Sequence, residues 1–215
     1  MVLNRLRLGS QEKLLLIVIV SYKSEFIISP MNTIWNQDTV TDALYFAAQA
    51  HGEQMREDPA VPYITHVFEV CSELMRAFTE QPAKNCELAL LCAALHDTIE
   101  DTEVTYIQLQ ELFGTQVADG VQSLTKNDSI AKDHRIADAI ECIKKQPREV
   151  AMVKLADRIS NLRDIPSTWS IEKANNYAIQ GQLILDELGY AHSGLAKRLK
   201  EKIKRYKGSI EHLKK

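Results

Sequence analysis

In the run Leu91–Thr102, LCAALHDTIEDT, an imidazole and several carboxylates are packed into a short stretch: His96, Asp97, Glu100 and Asp101. Drawn as a helix, Leu88, Leu91, Cys92, Leu95 and Ile99 recur at three- and four-residue steps and form one apolar stripe. Ala89, Ala93, His96, Asp97, Glu100 and Asp101 fall on another face, because residues three or four apart stack one above the other. Ionisable groups so placed are costly to bury unless something pairs with them. A divalent cation is the usual partner of adjacent imidazole and carboxylate groups.

A second stretch has the same division. Over Glu149–Asp164, Met152, Leu155, Ala156, Ile159 and Leu162 cover one face, and Lys154, Asp157, Asn161 and Asp164 cover the other. His66 lies in a third apolar pattern, PYITHVFEVCSELMRAF. The chain therefore offers His66, then His96-Asp97, then Asp157, each on a separate helical segment.

The elements that position them read as helices from Asp38 onward. Thr39 or Thr41 can cap a helix that ends near His51 and Gly52. Gly52–Pro62 is a polar loop with two prolines, and Pro62 suits the first turn of the next helix. After a loop at Pro82 come the central helix, a short one over YIQLQELFG closed by Gly114 as a left-handed cap, and one from Val117 to Leu124. Helices follow over His134–Lys145, Glu149–Asp164, Trp169–Leu188 and Ser193–Lys214, the last with its lysines on a solvated face. No convincing strand interrupts them, and the fold class is all-α, a compact orthogonal bundle.

Composition bounds the function. A net charge of -3 gives no reason to expect general binding to nucleic acid or to an anionic membrane. Cys71, Cys86, Cys92 and Cys142 form no CxxC pair, which fits a reducing cytoplasm. Residues 1–30 are a leader of another character. Leu14–Val20, LLLIVIV, follows Arg5, Arg7 and Lys13 like the start of a signal peptide. The run is too short to span a bilayer as a helix, and no small-residue cleavage site precedes Lys23. Residues 31–215 carry the patterned domain.

The order His66, His96-Asp97, Asp157 is the H...HD...D pattern of the HD-domain phosphohydrolases. The chain resembles the hydrolase domain of the RelA/SpoT enzymes and the stand-alone small alarmone hydrolases. The likeness is carried by AAQAHGEQMREDPAVPYITH, ALHDTIEDT, FGTQVADGVQSLT and VKLADRISNLRD. It implies an HD-domain helical bundle in which His66, His96, Asp97 and Asp157 ligate one metal, typically Mn²⁺. A mixed nitrogen and oxygen set suits a six-coordinate ion with open positions better than a closed tetrahedral zinc site. The resemblance further implies that Glu100 and Asp101 are the catalytic acidic pair, and that Arg56, Asn161 and Tyr177 contact the nucleotide. The implied reaction removes the 3′-pyrophosphate of guanosine tetra- or pentaphosphate (ppGpp or pppGpp). With no synthetase segment in view, the chain looks like a dedicated small hydrolase.

The sequence departs from the family pattern in three places. Glu57 follows Arg56 where a basic residue is usual, Val67 replaces a proline, and Lys126-Asn127-Asp128 replaces a more acidic Asp-Asp-Lys sequence. The first and third could retune substrate choice toward an adenosine alarmone or another 3′-phosphorylated nucleotide. The same ligands would serve an HD nucleotidase acting on 5′-monophosphates, although PYITH and KLADRISNLRD fit the alarmone hydrolases better. A sensor that binds an alarmone without turnover is the remaining alternative, against which stand the complete metal quartet and Glu100-Asp101.

Overall fold

The apolar spacing is realised as a helical bundle in the computed structural model, which describes residues 34–56 and 60–213. Asn36 opens the first helix, α1 (Gln37–His51), its side chain accepting from the amides of Asp38 and Thr39. The cap therefore lies earlier than Thr39 or Thr41, which fall inside the helix. At the other end Gly52 takes a φ of 51°, a conformation open to glycine at little cost.

The loop that follows pairs with itself. The Arg56 amide donates to Val61 O at 2.8 Å and the Tyr63 amide to Gln54 O at 2.8 Å, around an isolated antiparallel bridge between Met55 and Pro62. This fixes where Arg56 leaves the backbone. Glu57 and the leader lie outside the described residues. Among the described residues no helix is long and apolar enough to cross a membrane.

Next come α2 (Ile64–Glu80) and α3 (Cys86–Leu95). The central helix is shorter than its spacing predicted. It ends at Leu95, His96 and Asp97 form a turn, and α4 (Thr98–Asp101) is a separate single turn. Nor does α3 have a polar face. Leu88 through Leu95 are all buried, because the helix is enclosed by α1, by α2 and by two later helices, α6 (Thr115–Leu124) and α8 (Arg148–Asn161). Its start is held by a buried carboxylate, Glu149, which accepts from the Asn85 amide at 2.9 Å.

Between them, α5 (Tyr106–Phe113) begins with a reciprocal capping box of Thr105 and Gln108. Gly114 does break the helix with a positive φ of 87°. Its ψ of 161° makes it a direct turn into α6 rather than a left-handed α cap. The fold closes with α7 (Arg135–Lys144), α9 (Ile171–Leu188) and α10 (Ser193–Leu213). Like α3, α8 is buried nearly all round, Lys154 and Asp157 included, so the polar face read from its spacing points into the molecule.

One glycine sets a helix crossing. A Cβ on Gly120 would stand 2.7 Å from Cys92 Sγ and 3.1 Å from Val150 Cγ2. Gly120→Ala is therefore expected to lose about 1–2 kcal/mol in urea unfolding, overpacking outweighing the roughly 1 kcal/mol of helix propensity gained. Adding Cys92→Ala should restore part of the loss, and a stabilised single variant would contradict the tight crossing.

Candidate metal centre and cleft

The breaks in the helices bring the candidate ligands together. His66 enters from the first turn of α2, His96 and Asp97 from the turn after α3, and Asp157 from the middle of α8. His66 Nε2 lies 3.2 Å from His96 Nε2, 3.6 Å from Asp97 Oδ2 and 3.5 Å from Asp157 Oδ1. His96 Nε2 is 2.8 Å from Asp97 Oδ2 and 4.0 Å from Asp157 Oδ1. Around an octahedral ion with bonds of about 2.1 Å, neighbouring ligand atoms stand about 3 Å apart, so this spacing suits one cation.

The hydrogen bonds behind the ligands decide how the rings are protonated. His96 Nδ1 donates to Ala93 O at 2.8 Å, since a carbonyl can only accept. The Ser160 hydroxyl donates to Glu69 Oε2 at 2.7 Å and so accepts from His66 Nδ1 at 3.0 Å. With both Nδ1 atoms carrying hydrogen, the neutral rings point their Nε2 lone pairs at each other. A proton on one ring or a cation between the rings relieves that contact, and the outer bonds are those that orient metal-binding histidines.

The local charge is arranged in the same sense. Burial works against a charged His66, but its contacts with Asp157 and Asp97 outweigh burial and push it up to about 9. Burial likewise disfavours ionised Asp157, yet the Lys154 ammonium and the two imidazoles hold its carboxyl well below the usual range. His96 and His66 do the same for Asp97 against its burial. Two anionic carboxylates that draw positive charge onto the facing imidazoles fit a divalent cation in place of the proton, and the residues present suit one.

Lys154 and Tyr63, beside this centre, were not assigned from sequence, and Asn161, expected on the nucleotide, also touches a candidate ligand. Lys154 donates to Asp157 Oδ2 at 3.0 Å, and Asn161 donates to Asp157 Oδ1. The Tyr63 hydroxyl donates to Asp97 Oδ2 at 2.5 Å, and burial followed by the Asp97 charge raises its pKa far above the ordinary tyrosine value. Tyr63 therefore stays protonated and orients the ligand. The tyrosine of PYITH and the lysine on the Asp157 face were visible as types, but a ligand-orienting role has no spacing signature of its own.

Glu100 and Asp101 are on α4 as expected, with unequal surroundings. Glu100 Oε2 accepts from the Lys126 amide at 3.0 Å and its Oε1 pairs with Lys126 Nζ. For Asp101, burial, then the charges of Asp97 and Glu100, raise the pKa, with the Tyr63 hydroxyl and the Lys126 charge only partly opposing them.

Arg56, Asn161 and Tyr177 line one cleft of about 520 Å³, with Tyr63, Glu69, Arg163 and Trp169. Its floor reaches the centre through Tyr63 and Asn161. Arg56 Nη1 donates to Glu69 Oε2 at 3.2 Å, and Arg163 to Glu69 Oε1. Tyr177 is held between the Arg158 guanidinium, 4.0 Å from its ring centre, and the edge-on Trp169, 5.0 Å away. Burial opposes ionisation of Glu69, but Ser160, Arg163 and Arg56 lower its pKa below the usual carboxylate value. A lowered carboxyl stabilises the fold above its unfolded pKa and loses that contribution as pH falls through the folded one. Glu69→Gln should thus cost on the order of 1 kcal/mol at neutral pH, and the difference from wild type should vanish in acid. Urea melts at the two pH values check the sign.

A family model described as the HD domain matches residues 43–196, a stretch that contains His66, His96, Asp97 and Asp157. The chain belongs to the HD-domain family. Among curated relatives of this HD domain, the guanosine-3′,5′-bis(diphosphate) 3′-pyrophosphohydrolase MESH1 of Drosophila melanogaster is 32% identical over 165 residues, covering 74% of this chain and 90% of the relative. The human protein of the same name is 34% identical over 141 residues, 63% of this chain and 76% of its own. In solved structures, a metazoan orthologue of SpoT, described as hydrolysing ppGpp and playing a role in starvation responses, superposes with a TM-score of 0.70 at 30% identity, covering 80% of this chain and 97% of that one.

Proposed function

We propose that this HD domain removes the 3′-pyrophosphate from guanosine tetra- or pentaphosphate, leaving GDP or GTP and releasing pyrophosphate. The observation that carries the reading is the cluster of His66, His96 and Asp157, with Asp97 Oδ2 2.8 Å from His96 Nε2, joined through Tyr63 and Asn161 to a cleft walled by aromatic and guanidinium groups. The names of the MESH1 relatives support the substrate.

In this reading His66, His96, Asp97 and Asp157 hold one Mn²⁺. Bound there, the ion supplies Lewis acidity toward a phosphoryl oxygen and toward water. Tyr63, Lys154 and Asn161 keep the two aspartates aimed at it. Glu100, held in place by the Lys126 amide and ammonium, is the member of the acidic pair positioned to exchange a proton, and Asp101, with its raised pKa, stands one residue on. The Lys126 ammonium, beside Glu100 and within the field of Asp97 and Asp157, meets negative charge that develops on the leaving pyrophosphate. Arg56, Asn161 and Tyr177 hold the nucleoside end. The free thiols of the cysteines support a reducing compartment, the cytoplasm.

Glu57 next to Arg56 favours a second substrate reading, an adenosine alarmone handled by the same chemistry. A panel of guanosine tetraphosphate, its adenosine counterpart and GMP, incubated with Mn²⁺ and separated by chromatography, tests both. Guanosine tetraphosphate is expected to be consumed fastest. Preference for the adenosine compound would move the assignment to the second reading, and turnover of GMP alone would overturn both.

A further inference from the structure

One carboxylate belongs to both the metal centre and the cleft. Glu69 lies one turn beyond His66 on α2, and Ser160 one turn beyond Asp157 on α8, so each shares a helix face with a candidate ligand. The two helices pack against each other. Glu69 also lines the cleft, where it meets Arg56 and Arg163.

The hydrogen bonds run in one direction. His66 Nδ1 donates to the Ser160 hydroxyl at 3.0 Å, and that hydroxyl donates to Glu69 Oε2 at 2.7 Å. Arg56 Nη1 donates to the same carboxylate oxygen at 3.2 Å, whereas Arg163 donates to Oε1. Two donors therefore share Oε2, one leading to the metal centre and one to the cleft. Negative charge drawn toward the guanidinium is withheld from the hydroxyl, because linked hydrogen bonds polarise one another. With His66 and Ser160 buried, the path is little screened by salt.

We propose that Glu69 is a positioning residue that couples the two sites, passing a change of charge at Arg56 through Ser160 to His66. The sign follows from the shared oxygen. When an anionic group of the nucleotide takes up the Arg56 charge, Glu69 becomes a stronger acceptor for Ser160 and the hydroxyl a stronger acceptor for His66 Nδ1. The ring is then a better donor toward a cation at Nε2. Arg163 still anchors Oε1, so the carboxylate keeps its place. An occupied cleft thus raises affinity at the metal centre, and by linkage an occupied centre raises affinity at Arg56. The coupling rests on the reading of His66, His96, Asp97 and Asp157 as metal ligands.

Arg56→Gln imitates the neutralised arginine without any nucleotide. Titration of the metal-stripped full chain with Mn²⁺, the free ion followed by electron paramagnetic resonance, reads the coupling. Arg56→Gln is expected to bind Mn²⁺ about threefold more tightly than wild type, near the lower end of coupling within one hydrogen-bond network. Ser160→Ala, which cuts the path, should bind it about tenfold more weakly. In the Ser160→Ala background Arg56→Gln should then change nothing, whereas a through-space effect of the arginine's charge would persist there. Glu69→Gln, which breaks the path at its other end, should suppress the Arg56 effect in the same way. Weaker binding in Arg56→Gln, unchanged binding in Ser160→Ala, or an equal Arg56 effect with and without Ser160 would overturn the coupling and leave the metal reading intact. Wild type that takes up no Mn²⁺, or Asp97→Ala that binds it equally well, would overturn the metal reading and the coupling with it.

Discussion

Asp97→Ala is expected to fold and to lose hydrolysis by at least about a hundredfold, together with its bound metal. Removing a group that only orients a ligand costs metal affinity or activity about 10–100-fold, and Asp97 is itself a candidate ligand. Its carboxylate lies 2.8 Å from His96 Nε2 and takes the Tyr63 hydroxyl, so the alanine variant removes both contacts. The backbone survives because Asp97 sits in a turn, whereas the core that holds the turn is the fully buried α3. Circular dichroism checks the fold and elemental analysis the metal content. His96→Ala should behave alike. Full activity of metal-stripped Asp97→Ala would remove the centre from the chemistry.

The second large effect is at Glu100. Glu100→Gln should keep its metal and lose turnover by on the order of a hundredfold, the usual contribution of a positioned acid or base. The structure adds a partner to this expectation. Lys126 grips Glu100 through both its amide and its ammonium, so neutralising the carboxylate also releases the lysine. If the two act as one unit, Lys126→Met will lower turnover as well, and the double variant will be little worse than the worse single one. Strictly additive losses would mean that they act separately. Unchanged turnover in Glu100→Gln would leave proton handling to Asp101.

The helices were legible because their apolar spacing is the cause of their burial. What periodicity misread was burial on every side. The helix α3 is walled in by other helices, so alanines and leucines are alike inside it and the apparent stripe of Leu88, Leu91 and Leu95 marks no boundary. The same effect hid Lys154, whose place on a polar face suggested solvent while its ammonium is spent on Asp157. The break at His96-Asp97 carries no glycine or proline to announce it.

The ligand set was legible for a different reason. His66, His96, Asp97 and Asp157 are few, chemically distinctive and ordered as in a known pattern; the structure clusters His66, His96 and Asp157 and sets Asp97 Oδ2 2.8 Å from His96 Nε2. Their supports were not. Ser160, Glu69 and Tyr63 act through hydrogen bonds between residues distant in sequence, the Ser160–His66 bond linking α8 to α2. Lys126 was noticed only as a departure from the family, and its pairing with Glu100 required the fold.

The central claim is a metal-dependent cut that releases the 3′-pyrophosphate intact. Phosphorus NMR of guanosine tetraphosphate incubated with the Mn²⁺-loaded protein follows that bond directly. The expected spectrum shows GDP and pyrophosphate appearing together in equal amounts, with no turnover after the metal is chelated and recovery when it is returned. Orthophosphate as the first product, loss of the 5′-phosphates, or an undiminished rate in the metal-free protein would contradict it.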